Sequence, residues 1–224
     1  MALSVNMRSS LLMAAAMAGF TTNDALVKLL GGTVGAGQIM MVRGAFMLVA
    51  MLLYVRIARV PVPLRRAMTG AMALRAAGEV IGTVLFLFAL FHIPIANVSA
   101  VLQALPLAVT LGAALVLREP VGIRRLSAIL IGFSGVLLII RPGMEGFSVY
   151  SLAVVGTVIF AATRDLATRR LPAGLPTLTV SLLTTVAMTA TGAVMMMFSG
   201  GWTALQPADF GLLCGSAVFL IIAY

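Results

Sequence analysis

Residues 118–143 read REPVGIRRLSAILIGFSGVLLIIRPG. Arg124 and Arg125 stand directly before a run of apolar and small residues at 126–140, and Arg141-Pro142-Gly143 closes it. A basic anchor, an uncharged apolar run and a Pro-Gly stop describe a helix that crosses a membrane.

Outward from this stretch the pattern recurs. Of 224 residues, 62% are hydrophobic and 9% charged, and the mean hydropathy is +1.15, which leaves too little polar surface for a water-soluble fold. At 1.5 Å per residue, about 20 residues cross ~30 Å of hydrocarbon. Eight such windows are predicted: 9–30, 37–57, 68–91, 94–117, 126–140, 149–171, 175–198, and a last one from Asp209 that is still apolar at Tyr224. A membrane β-barrel would show short alternating segments, and these runs are continuous. The predicted class is all-α, a polytopic helical membrane protein. Turn residues fall between the windows, at Gly31-Gly32, Pro61 with Pro63, Pro142-Gly143, Pro172 with Pro176, and Gly200-Gly201.

Loop charge sets an expected orientation. Arg8, Arg56, Arg59, Arg65, Arg66, Arg118, Arg124, Arg125, Arg169 and Arg170 all fall on one side, against Arg141 on the other. The N-terminus is therefore expected in the cytosol, in a multi-pass membrane protein. Topology accounts for most of the +9 net charge, so the expected partners are the lipid bilayer and a small molecule, with no nucleic acid. Oligomeric state is not readable. The first window is too long for a signal peptide, and one cysteine, Cys214, makes no internal disulfide.

Shifting the sequence by 141 residues places Ser10-Leu11 on Ser151-Leu152, Asp24 on Asp165, Lys28 on Arg169 and Leu30 on Leu171. Both copies end in Asp-x-x-x-(Lys/Arg)-x-Leu. Five windows separate them, an odd number, so the second copy enters from the opposite face. That predicts an inverted five-helix repeat, the device by which secondary transporters alternate access around a midplane site. The expected domains are 1–143, a first repeat, and 144–224, an incomplete second repeat of three helices with the last cut short.

Ala89-Leu90, Ile95-Ala96-Asn97-Val98-Ser99-Ala100, Leu105-Pro106-Leu107, Glu119, Arg125, Ala128, Ile131-Gly132 and Gly135-Val136-Leu137-Leu138-Ile139, ending at Arg141-Pro142-Gly143, resemble the EamA-type transporters of the drug/metabolite transporter superfamily. The resemblance covers residues 1–143 well and the remainder weakly. It implies a ten-helix inner-membrane carrier with a central cavity that moves small metabolites. The opening MALSVNMRSSLLMAAAMAGFTTNDALVK looks most like riboflavin-uptake members, so riboflavin is the first substrate expected.

Charge in mid-membrane costs about 2.5–3.5 kcal/mol on insertion scales and normally faces a cavity or a partner. Asp24, Lys28, Arg43, Arg75, Glu79, Arg164 and Asp165 qualify. Arg75 and Glu79, four residues apart on the third window, face one another one turn apart, with Glu79 near the midplane. They form either a self-neutralised pair or a substrate or proton site. Ser99, Gln103, Pro106 and Thr110 make a polar stripe on the fourth window, and Pro106 predicts a kink by freeing the carbonyl of Leu102. The stripe serves either a cavity or interhelical hydrogen bonds.

The expected substrate-binding set is Arg75, Glu79, Ser99 and Gln103. Glu79 and Asp24 are the candidates for proton or ion coupling. Asp24 and Lys28 pair near the outer end of the first window, Arg43 reaches for the interface, and Arg164 and Asp165 read as mainly structural. The lone His92, in a short loop, and Cys214 make no metal spacing, and no phosphate loop appears, so no metal, cofactor or ATP-driven step is expected.

An intramembrane hydrolase would need a nucleophile with a base in the bilayer, and Ser216 and Ser99 have only the distant His92. The function expected is a secondary transporter rather than an enzyme. An exporter of amino acids or other metabolites is the alternative within that class, and a non-transporting scaffold or partner subunit is the alternative outside it.

Overall fold

The computed structural model describes residues 5–140 and 148–223. Arg141, Pro142, Gly143 and Glu145, with the outer turn assigned to them, lie outside these residues, as does Tyr224. Among the described residues every regular element is a helix: α1 Val5–Leu30, α2 Ala36–Ala58, α3 Leu64–Ala67, α4 Gly70–Leu90, α5 Ile95–Leu102, α6 Leu105–Val116, α7 Ile123–Ile140, α8 Val149–Thr168, α9 Thr177–Phe198 and α10 Pro207–Ala223. Within the described residues seven spans are long and apolar enough to cross a membrane, with α5 and α6 together counting as one, and α10 holds a shorter apolar helix. The protein is a polytopic helical membrane protein. Large apolar side chains point outward along these helices, Leu115, Ile123 and Leu138 among them at 73–86% exposure, an arrangement that lipid tolerates and water does not.

The helices match the predicted windows closely, with four physical differences. The fourth window is two helices, because Pro106 has no N–H for the carbonyl of Leu102 and the chain turns at Gln103-Ala104; Gln103 N–H bonds to Ser99 O at 3.2 Å and Ala104 N–H to Val101 O at 3.0 Å. The helix of the sixth window stops at Thr168, with Arg169 as its cap, short of Leu171. The eighth begins at Pro207, which suits a first helical position, and Asp209 Oδ2 accepts the Gln206 N–H at 3.3 Å. The short α3 sits in a loop where no helix was expected.

Contacts sort the chain into two compact units, Met1–Leu52 with Thr189–Tyr224, and Leu53–Met188. These cut across the 1–143 and 144–224 halves read from the repeat, since packing groups neighbours in space and a repeat groups segments of common pattern.

In the first unit α1 packs antiparallel on α10: Leu26 lies against Gly215, and Thr33 Oγ1 donates to Asp209 Oδ1 at 3.0 Å. The start of α2 crosses the end of α9 at Gly37 and Gly192, where a Cβ on either would come within 2.9 Å of the other's carbonyl oxygen. Only glycine allows backbones so close. Buried Gln38 clamps the loop before α10, donating to Thr203 O at 2.8 Å and accepting from Thr203 N–H at 2.9 Å.

The second unit is built on α4 against antiparallel α8. Gly78 and Gly82 face α8, and a Cβ on Gly78 would lie 2.8 Å from Phe160 O. Beyond them α5 and α7 complete an apolar core with these helices around Ala89, Val98, Val101, Ile140, Val154 and Val158.

Candidate functional site

The glycine face of α4 that lets α8 approach also decides where the buried charges meet. Glu79 follows Gly78, nine residues into α4 and so about 14 Å along it. Across the contact, Arg164 Nη1 donates to Glu79 Oε2 at 3.1 Å, and Arg164 Nε donates to Asp165 Oδ1 at 2.8 Å. One guanidinium thus bridges two carboxylates. The side chains of Glu79 and Arg164 are 14% and 26% exposed, so the pair is mostly withdrawn from its surroundings.

Glu79 and Arg75 do not bond to each other. Arg75 Nη1 instead donates to Thr184 Oγ1 on α9, and the Thr184 hydroxyl donates in turn to Val180 O at 2.9 Å. Among the described residues, Arg75 Nε and the hydroxyl of Thr179 are buried with no hydrogen-bond partner. The i, i+4 reading of Arg75 and Glu79 is corrected here: each reaches to a different neighbouring helix, because an interhelical partner at close range outcompetes one on the same helix face. Arg164 and Asp165, read as mainly structural, share the cluster with Glu79. The sequence signal for this was Gly78-x-x-x-Gly82, which brings α8 close enough for an arginine to reach across.

The other predicted residues lie apart from that cluster. Ser99 is half-buried on α5, with its carbonyl engaged by Gln103 N–H. Gln103 sits at the break between α5 and α6 with an exposed side chain that makes no hydrogen bond among the described residues. Thr110 bonds back to Pro106 O at 2.8 Å. In the first unit, Asp24 Oδ1 accepts from Asn23 Nδ2 at 3.0 Å, and Asn23 Oδ1 accepts from Arg43 Nη2 at 2.6 Å. Arg43 therefore turns inward to Asn23 instead of reaching for the interface. His92 stacks on Tyr150, centroids 4.1 Å apart, with its Nδ1 2.6 Å from Phe88 O, an aromatic packing role.

A membrane helix pair joined by an arginine between two carboxylates is an arrangement that can hold a charged or polar solute and exchange a proton. The pattern of the EamA-like transporter family matches residues 7–141, more than half of the chain. The chain belongs to that family. The chain is 36% identical to a riboflavin transporter of Vibrio cholerae over 132 residues, 58% of this chain and 44% of that protein. It is 31% identical to a riboflavin transporter of Brucella anthropi over 137 residues, 61% and 48% of the two chains. To the pseudopaline exporter CntI of Pseudomonas aeruginosa it is 29% identical over 155 residues, 69% and 54%. The chain spans about half the length of the curated relatives it matches. Residues 7–141 contain α4 and Glu79, while Arg164 and Asp165 lie beyond the family match.

Proposed function

We propose that the chain serves a secondary transporter, not an enzyme, that moves a small metabolite across the bacterial inner membrane, with riboflavin as the first substrate to test. The observation that carries this is family membership together with a mostly buried Glu79–Arg164–Asp165 cluster within apolar spans. The names of the Vibrio and Brucella relatives support riboflavin. The exporter among the relatives supports a second reading, outward transport of another metabolite. The hydrolase reading loses support: the buried Ser216 hydroxyl is committed to Leu213 O at 2.9 Å, and His92 is exposed and stacked on Tyr150.

Arg75, Glu79, Ser99 and Gln103 line the substrate path in this proposal, with Arg164 as counter-ion to Glu79. Glu79 is the first candidate for proton or ion coupling, because it is a mostly buried carboxylate whose partner Arg164 also holds Asp165. Asp24, in its own hydrogen-bonded chain with Asn23 and Arg43, is the second coupling candidate.

The test is transport in proteoliposomes by the full-length carrier. Glu79→Gln and Gln103→Ala should each lower riboflavin flux about tenfold or more while membrane insertion stays normal. Unchanged kinetics in both variants at normal expression would remove these residues from the path. No flux of riboflavin, amino acids or other metabolites by the wild-type carrier, with a partner complex still formed, would favour a scaffold instead.

A further inference from the structure

A charged cleft lies away from the Glu79 cluster, where α6, α7 and the end of α8 come together. Helix α6 ends with Arg118 in the left-handed region at φ 56°, and Glu119 N–H reaches back to Ala113 O at 3.3 Å, a closure that swings Glu119 over the cavity. Arg169 Nη1 holds Glu119 Oε1 at 3.2 Å. Arg125 lines the same cavity, and its guanidinium makes no hydrogen bond or ion pair among the described residues. Leu107, Ala128 and Ile129 form an apolar floor in a cleft of about 340 Å³.

We propose that this cleft binds the phosphodiester head group of an anionic phospholipid. Two arginines and one glutamate leave one positive charge, which suits a group carrying a single negative charge. Arg125 is the lining cation without a partner among the described residues, and guanidinium matches phosphate oxygens in pairs of hydrogen bonds. The apolar floor and the exposed apolar flank of α7, Ile123, Leu126 and Leu130, give the glycerol and acyl portions a surface that a soluble anion could not use. All three helix ends are the ones that the loop arginines assign to the cytosolic face, so the lipid comes from the inner leaflet. The assignment is separate from the transport reading, because a carrier of any substrate could hold such a lipid.

Native mass spectrometry of the detergent-solubilised protein tests it, with phosphatidylglycerol and phosphatidylcholine as probes. Phosphatidylglycerol should be retained about fivefold better, as expected for one unpaired basic group at a membrane surface. Arg125→Gln should abolish the preference, and so should Ala128→Phe, which fills the cleft without changing charge. Arg59→Gln, on another loop assigned to the same face, should leave it intact. Equal retention of the two lipids, or an unchanged preference in both cleft variants, overturns the proposal. Displacement of bound phosphatidylglycerol by millimolar glycerol phosphate also overturns the lipid assignment and gives the cleft to a soluble phosphate ester.

Discussion

Arg164 is the residue on which the buried charges depend, because its guanidinium is long and forked enough to serve carboxylates on two positions at once. Removing it leaves Glu79 mostly buried with no cation. Arg164→Ala should therefore cost about 3 kcal/mol, read as a lowered unfolding midpoint in detergent. Adding Glu79→Gln to that variant should recover part of the loss, since an amide needs no counter-charge. Equal stability of Arg164→Ala and the double variant would show that the two side chains do not interact. The sequence revealed that both residues are charged and membrane-embedded. It could not reveal their pairing, because Arg75 and Glu79 satisfy the i, i+4 rule equally well on paper and only the approach of α8 breaks the tie.

Among the elements, the divided fourth span is the one whose behaviour a single residue explains. Pro106 stands four residues after Leu102 and withholds the N–H that a continuous helix needs. The predicted kink became a full turn at Gln103-Ala104. Pro106→Ala should restore the missing hydrogen bond and make α5 and α6 continuous, and hydrogen exchange at residue 106 should then show a protected amide. If that amide exchanges freely, packing rather than proline imposes the turn. The same element scale explains α4 on α8, where Gly78 permits contact with Phe160 O that no other side chain could share. Window boundaries were legible to within a few residues because hydrophobicity marks where lipid ends. The break was legible as a kink only, since proline states that a bond is missing but not how far the chain turns.

At the scale of the whole molecule, orientation and repeat are the properties to test. Ten loop arginines against one predict a cytosolic N-terminus. In a Cys214→Ser background, single cysteines at Gly35 and Glu145 should react with an impermeant reagent from outside, and cysteines at Arg65 and Arg125 should not. Labelling of position 65 from outside would sink this topology. A repeat of five spans exchanges the pair formed by spans three and six with the pair formed by spans eight and one, and those are the antiparallel pairs α4 with α8 and α1 with α10, one in each compact unit.

By itself the sequence determined that this is a helical membrane protein, how its chain is divided into spans, and a resemblance to the EamA-type transporters that the family match bears out. Those properties follow from local composition, because a span must be apolar over its own length and a loop carries its own charge. The tertiary structure alone decided what each charge in the spans meets: Arg164 with Glu79 and Asp165, Arg75 with the hydroxyl of Thr184, Arg43 with the amide of Asn23. Such pairings depend on which helices lie side by side and how closely glycines let them pack, and neither is written in the hydrophobicity of any one helix.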